Sequence, residues 1–220
     1  MINYKKISTL VFDCDGVILD SNAIKTEAFY EIGKQYSDEA GTRLAQYHIE
    51  NGGESRYKKF KYFFENILNK KSSKKEVNRL SEIFSKITVN KVLTCPIAEG
   101  IFELRKKTSK KKWLVVSGSD QEELRKIFTA RGLYKSFNGG IFGSPDTKDT
   151  ILDRELKLGN IIEPALFIGD SITDYKAAKN AGMDFIFLRK WSGVSNYNEF
   201  LDEQVLVFES ISNLITLFDE

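Results

Sequence analysis

Leu10-Val11-Phe12-Asp13-Cys14-Asp15-Gly16-Val17 is the stretch on which the reading of this chain turns. An unbroken apolar run stops at two acids, set two residues apart, and then a glycine. Such a run, bounded by glycine, reads as a buried strand. Carboxylates just past the carboxyl end of a strand stand where open α/β sheets bind ligands. Two acids at that depth are costly unless a cation or a reaction uses them.

The bulk numbers leave room for that reading. The chain has 220 residues, 41% hydrophobic and 29% charged, enough for a globular domain with a smaller insert. With 33 basic against 31 acidic residues, its formal net charge of +2 creates no field that would attract nucleic acid. The lysines at Lys70-Lys71, Lys74-Lys75 and Lys110-Lys111-Lys112 read as solvated helix ends and loops. Cys14 and Cys95 lie in no CxxC or Cys/His cluster, which excludes a zinc or redox pair; both read as small buried apolar residues. Met1 to Ser8 lacks an apolar signal core, and no apolar run reaches membrane-spanning length, so the expectation is a cytoplasmic protein without a membrane partner.

Outward from the first strand, expected over Ile7 to Phe12, a helix is predicted with Ser21 as its cap and Ala23, Ile24, Ala28, Phe29 and Ile32 as its apolar stripe. Helical spacing continues through Leu44 to Ile49, Arg56 to Leu68 and Glu76 to Ile87, with no good strand among them. From Pro96 the pattern alternates. Helices are expected over Ile97 to Lys107 (Ile97, Ile101, Phe102 and Leu104 inward), from a Ser119/Glu122 capping box towards Gly132, from Asp146 or Thr147 through Leu156, over Ile172 to Ala181, and over Ile211 to Phe218. Strands are expected at Trp113 to Val116, Gly140 to Phe142, Ala165 to Ile168, Asp184 to Leu188 and Val205 to Phe208. Repeated strand–helix units imply an α/β fold, a doubly wound parallel sheet with a helical insert after its first strand. The expected division is a core of residues 1–16 and 93–220 and a helical domain of residues 17–92.

Parallel strands bring four segments to one edge: Asp13-Cys14-Asp15-Gly16, Ser117-Gly118-Ser119-Asp120, the loop that delivers Lys148, and Gly169-Asp170-Ser171-Ile172-Thr173-Asp174. Asp13, Asp15, Asp170 and Asp174 cannot all stay ionised there without a cation. An oxygen-only ligand set suits a hard ion, and Mg²⁺ is the one usually shared with a phosphate. Ser117 supplies a hydroxyl, Gly118 an open backbone N–H, and Lys148 a point charge for a phosphoryl oxygen. Together these are the parts that phosphoryl transfer to a carboxylate requires.

These four segments, in this order and ending in Gly169-Asp170 with Asp174, resemble the motifs of the haloacid dehalogenase superfamily. The helical insert sits where its C1-capped phosphatase branch, similar to phosphoglycolate phosphatases and β-phosphoglucomutases, places a cap. The resemblance implies that Asp13 attacks phosphorus and Asp15 carries the proton. It implies that Asp13, the Asp15 backbone carbonyl and Asp170 hold Mg²⁺ while Asp174 orients the metal's waters. It implies that Ser117, the Gly118 N–H and Lys148 bind the phosphoryl group. An acid at Asp15 also argues against the carbon-attacking dehalogenase branch.

The insert's polar turn, Glu50-Asn51-Gly52-Gly53-Glu54-Ser55-Arg56, is the expected reader of the leaving group, with Arg56, then Lys59 and His48, as candidate substrate contacts. The Tyr57, Phe60, Phe63 and Phe64 stripe reads as core. For Asp120, capping is favoured over catalysis. The resulting expectation is a Mg²⁺-dependent phosphatase acting on a small organic phosphate monoester, such as a sugar phosphate, as a monomer or homodimer. The stretch from Asp13 to Asn22 also resembles family members from bacterial surface-polysaccharide pathways. A phosphomutase of the β-phosphoglucomutase kind and a non-catalytic binding module are the alternatives.

Overall fold

The computed structural model describes residues 3–219. Six strands, β1 (Thr9–Phe12), β2 (Lys112–Asp120), β3 (Gly140–Ser144), β4 (Ala165–Gly169), β5 (Asp184–Leu188) and β6 (Leu206–Phe208), form one sheet in the order β3-β2-β1-β4-β5-β6. Every pairing is parallel. The order reverses direction at β1, between β2 and β4, which is the switch point where such sheets open a crevice. The α/β doubly wound sheet is therefore as the sequence implied.

Strand β1 is buried along its whole length. Leu10 and Phe12 join one apolar cluster with Trp113, Val115 and Ile168, while Val11 joins the other with Leu114, Val116 and Phe167. This alternation across the pleat explains the continuous apolar run: both faces of the sheet are covered. Helices α5 (Ile101–Lys107) and α6 (Gln121–Ala130) supply residues to the first cluster, α7 (Lys148–Lys157) and α8 (Ile172–Asn180) to the second.

Between β1 and α5 the chain forms α1 (Asn22–Lys34), α2 (Asp38–Glu50), α3 (Arg56–Tyr62), a π-helical turn (Phe63–Ile67) and α4 (Lys74–Thr94). These helices bury an apolar cluster of their own, which includes Phe29, Leu44, Phe60, Phe63 and Phe84. Each such ring contributes roughly 1.5–3 kcal/mol on burial. No helix among the described residues is long and apolar enough to cross a membrane.

Several local expectations are corrected. The helix predicted from Ile97 begins only at Ile101, because Gly100 turns the chain with φ at +81°. Phe102 is not inward; it is 56% exposed. The Ser119/Glu122 capping box does not form, since β2 runs on to Asp120 and the Asp120 carboxylate accepts from the Glu123 N–H at 3.0 Å. Thr147, not Asp146, caps α7. Ser21 occupies the cap position of α1 but caps nothing, because its hydroxyl turns to Asp15. The closing Ile211–Phe218 segment is a 3₁₀ helix, and α2 begins six residues before Leu44, at Asp38, and ends one residue past Ile49.

Candidate active site

The carboxyl ends of β1, β2 and β4 meet over the switch point, and Asp13 stands at their centre, 3% exposed. Its backbone N–H donates to the Ile168 carbonyl at 2.9 Å, which ties it to β4. Lys148, at the first position of α7, places its Nζ 2.8 Å from Asp13 Oδ1 and also bonds Asp174 Oδ1. The other oxygen of Asp174 accepts from Ser171 Oγ at 2.6 Å and Ser171 N at 3.1 Å, closing the capping box of α8. Both oxygens of Asp174 are thus committed to holding Lys148 and the helix start. Asp170 Oδ2 accepts from Asn22 Nδ2 at 2.8 Å.

One lysine faces three carboxylates, and that deficit shows in their protonation. Burial, and then the charges of Asp174 and Asp15, push the Asp13 carboxyl up to about 7. Burial with Asp174 and Asp13 nearby raises Asp170 well above the ordinary carboxylate range. Lys148 is pulled upward by Asp13 and Asp174 in spite of its own burial.

A hard cation fits this place. Oxygens of Asp13, Asp170 and Asp174 lie within 4.8 Å of one another, and all three residues are buried. The donor set has no nitrogen or sulfur ligand, as Mg²⁺ prefers. The close fit of the backbone points the same way. At Gly16, where φ is +78°, a Cβ would meet Asp170 Oδ2 at 2.1 Å and Asn22 Nδ2 at 2.3 Å, so only glycine lets the first motif approach the fourth.

Asp15 lies apart from that trio. Burial would raise its carboxyl, but Lys25 at 2.5 Å, with hydrogen bonds from Ser21 at 2.5 Å and Ser119 at 2.8 Å, brings it down to about 2. Lys25 Nζ also donates to Ser119 Oγ at 2.6 Å. Ser117 is 1% exposed and lines the cavity beside Gly118.

The cavity itself measures about 70 Å³. Its floor includes Asp13, Asp15 and Ser117; its roof includes His48, Arg56 and Lys59 from the helical segment. All the site residues expected from sequence, other than Lys148 and Asp174, line it directly, and those two bond each other just beneath, with Lys148 against Asp13. The roof rests on the floor through glycines: a Cβ on Gly118 would sit 2.1 Å from the Gly53 carbonyl oxygen. Arg56 Nη1 reaches Glu123 at 2.9 Å, and the Tyr57 hydroxyl donates to Asp120 at 3.1 Å, so two bonds cross from α3 to the start of α6. Phe60, Phe63 and Phe64 are core as expected, but Tyr57 of the same stripe is not, since its hydroxyl turns to Asp120. Lys59 is 1% exposed and its Nζ lies 2.6 Å from His48 Nδ1. Burial takes Lys59 down to about 7 and drives His48 well below its usual range.

Lys25, Asn22, Ser119 and Glu123 are site residues that the sequence reading passed over. A signal existed for the first two. Asn22, Lys25, Thr26 and Phe29 recur at helical spacing and all line the cavity, so α1 turns a polar strip inward beside its apolar one.

A family model for haloacid dehalogenase-like hydrolases matches residues 7–182. No curated protein matches the chain in sequence. Solved structures of similar fold include a protein described as a β-phosphoglucomutase from Bacteroides vulgatus, with 18% identity over 96% of this chain and 87% of that one and a TM-score of 0.75. A phosphonoacetaldehyde hydrolase-like protein from Oleispira antarctica matches at 16% identity over 99% and 93%, TM-score 0.73. The β-phosphoglucomutase of Clostridium difficile matches at 21% over 94% and 93%, TM-score 0.72. At these identities the likeness is one of fold.

Proposed function

The chain belongs to the haloacid dehalogenase-like hydrolases, and we propose that within this family it is a phosphatase that hydrolyses a small organic phosphate monoester through a phosphorylated Asp13. The observation that supports this most is the buried Asp13 carboxylate set against Lys148 and beside Asp170. In the first half-reaction Asp13 forms a bond to phosphorus as the ester P–O bond breaks, and the leaving oxygen takes a proton from Asp15. In the second, Asp15 removes a proton from water as the water's oxygen attacks the same phosphorus, which frees Asp13 and releases phosphate. Lys148, Ser117 and the Gly118 N–H bind the transferring group and offset the charge it gathers. Asp13, the Asp15 backbone carbonyl and Asp170 would hold Mg²⁺, with Asp174 fixing Lys148 and the loop that carries Asp170. When bound, the ion supplies charge neutralisation at the phosphoryl oxygens.

The helical segment serves as the cap in this reading. A cavity of this size beneath the helical segment suits a small substrate, a sugar phosphate or another metabolite phosphate of modest size.

The test is phosphate release from an aryl phosphate, with Mg²⁺ and with chelator. Turnover should require the metal, and Asp13→Asn should remove it by roughly a thousandfold or more. Metal-independent turnover, or an active Asp13→Asn variant, would overturn the proposal. Incubation of a sugar monophosphate with its bisphosphate separates a mutase: isomer formation without net phosphate release identifies one.

A further inference from the structure

Asn22 opens α1, the first helix of the helical segment, yet its side-chain amide is turned onto the core. Nδ2 donates to Asp170 Oδ2 at 2.8 Å and to the Trp191 carbonyl at 2.8 Å. Both partners are acceptors, so the place calls for two N–H donors on one short side chain. Asparagine carries them; an aspartate has none and a serine hydroxyl has one. The backbone leaves room for the bond. The Cβ that Gly16 lacks would stand 2.3 Å from Asn22 Nδ2 and 2.1 Å from Asp170 Oδ2.

The second acceptor belongs to the loop after β5. In that loop Ser192 Oγ donates to the Asp170 carbonyl at 2.6 Å and accepts from the Val194 N–H at 3.0 Å. Asp170 is therefore joined to the loop twice, at its carboxylate through Asn22 and at its backbone through Ser192. Gly193 and Val194 form part of the cavity wall, and a Cβ on Gly193 would lie 3.7 Å from Ile49 of α2. Trp191 itself is half-buried against the apolar cluster that holds Leu10 and Phe12, with the Lys190 ammonium 5.6 Å from its ring centroid.

We propose that Asn22 is a positioning residue that orients the Asp170 carboxylate for the cation and joins it to the Trp191–Val194 loop, so that metal binding and this wall of the cavity respond together. This rests on the phosphatase reading and adds to it the residue that links the first cap helix to the metal site. With one oxygen held by the amide, the Asp170 carboxylate is fixed in rotation while its other oxygen stays available to the cation. A ligand oriented before the ion arrives loses less freedom when the ion binds. The bonds to Trp191 and from Ser192 carry a shift of Asp170 into the loop, and by linkage an ordered loop tightens the cation in turn.

Mg²⁺ titration of the parent and of Asn22→Ala, read by calorimetry and by tryptophan emission, tests this. Trp113 is fully buried in the core, and a Trp191→Phe control identifies the part of the signal that comes from the loop. The parent should show a saturable change in Trp191 emission whose midpoint agrees with the calorimetric one. Asn22→Ala, its fold checked by circular dichroism in chelator, should bind Mg²⁺ roughly ten- to a hundredfold more weakly, and its Trp191 response should shrink even at saturating Mg²⁺. Should that variant fail to fold, Asn22→Ser takes its place with the same expectations, since a single hydroxyl cannot donate to both acceptors. Parent-like Mg²⁺ affinity overturns the positioning role even where the melting temperature falls, because a merely structural asparagine would change stability alone. A parent whose Trp191 emission ignores Mg²⁺, or a variant whose response is undiminished, overturns the link to the loop. These results leave metal-dependent phosphate release from an aryl phosphate, and so the phosphatase reading, intact. A parent that binds no Mg²⁺ overturns both.

Discussion

Lys25 and Asp15 form an ion pair of 2.5 Å at the floor of the cavity, with side chains 11% and 15% exposed. The pair sits just below the roof that closes over Asp13. A carboxyl held at about 2 is a proton acceptor at neutral pH, not a donor. The arrangement seen here therefore holds Asp15 ionised, with its oxygens taken by Lys25, Ser21 and Ser119. Donation to a leaving group requires the Asp15 carboxylate to part from Lys25, which ties proton delivery to a rearrangement of α1 or of the Asp15 side chain.

Lys25→Met tests the pair. Asp15 has a folded value below its ordinary one, so its contribution to stability is complete above about pH 4 and is lost as pH falls through about 2. Without Lys25 that contribution disappears and a buried carboxylate is left unpaired, at roughly 3–5 kcal/mol. The variant should melt earlier than the parent at pH 7 and begin acid unfolding at a higher pH. Superimposable acid-unfolding curves by circular dichroism would show that the pair contributes nothing.

Lys148→Met separates the lysine from the metal. Among the described residues Lys148 is the one cation bonded to both Asp13 and Asp174, and its removal leaves three buried carboxylates facing one another. In chelator the variant should melt well below the parent. Mg²⁺ should then raise its melting temperature by more than it raises the parent's, because the ion takes over the missing charge. Equal metal-induced shifts in a thermal melt would mean that the ion does not bind at this trio.

Gly118→Ala addresses closure. A methyl at this position meets the Gly53 carbonyl oxygen at 2.1 Å and its carbon at 2.7 Å, both backbone atoms that cannot rotate away. The turn at Gly52-Gly53 must lift, at a cost of roughly 1–3 kcal/mol. Faster proteolysis in the Asn51 to Ser55 turn and a fall in turnover larger than the fall in stability are the expected results. Parent-like cleavage and turnover would mean that the turn does not need to seat on the loop after β2.

What the sequence disclosed and what it hid follow one physical division. Asp13, Ser117, Lys148, Asp170 and Asp174 were legible because each stands at the end of an apolar strand or at a helix start, where a local pattern marks the position. The crossing contacts were not. Lys25 reads as a solvated charge within an amphipathic helix, and only the way the loop after β1 turns back into α1 brings it to Asp15. Ser119 resembles a helix cap because Glu122 follows at the right spacing, yet β2 continues three residues past Ser117 and gives the cap to Asp120. Arg56, Lys59 and His48 could be nominated from a polar turn, but the pairing of Arg56 with Glu123 depends on how α3 meets α6, and that of Lys59 with His48 on how α3 meets α2.

Lys59 carries the last prediction, a dependence of stability on pH. Burial takes its amine down to about 7, far under the ordinary lysine value of about 10.4. The unfolded chain therefore binds one more proton than the folded chain between those two values. Stability must rise with pH across that window, and the full penalty applies below about pH 7. Lys59→Met fills the same space with an uncharged chain and removes the penalty. At pH 6 the variant should melt several degrees above the parent, at about 2–4 °C per kcal/mol for a chain of this size. By pH 10 the gap should have narrowed to what the packing alone contributes. A gap that stays constant from pH 6 to pH 10 would mean that Lys59 keeps its proton in the folded state, held there by a counter-charge.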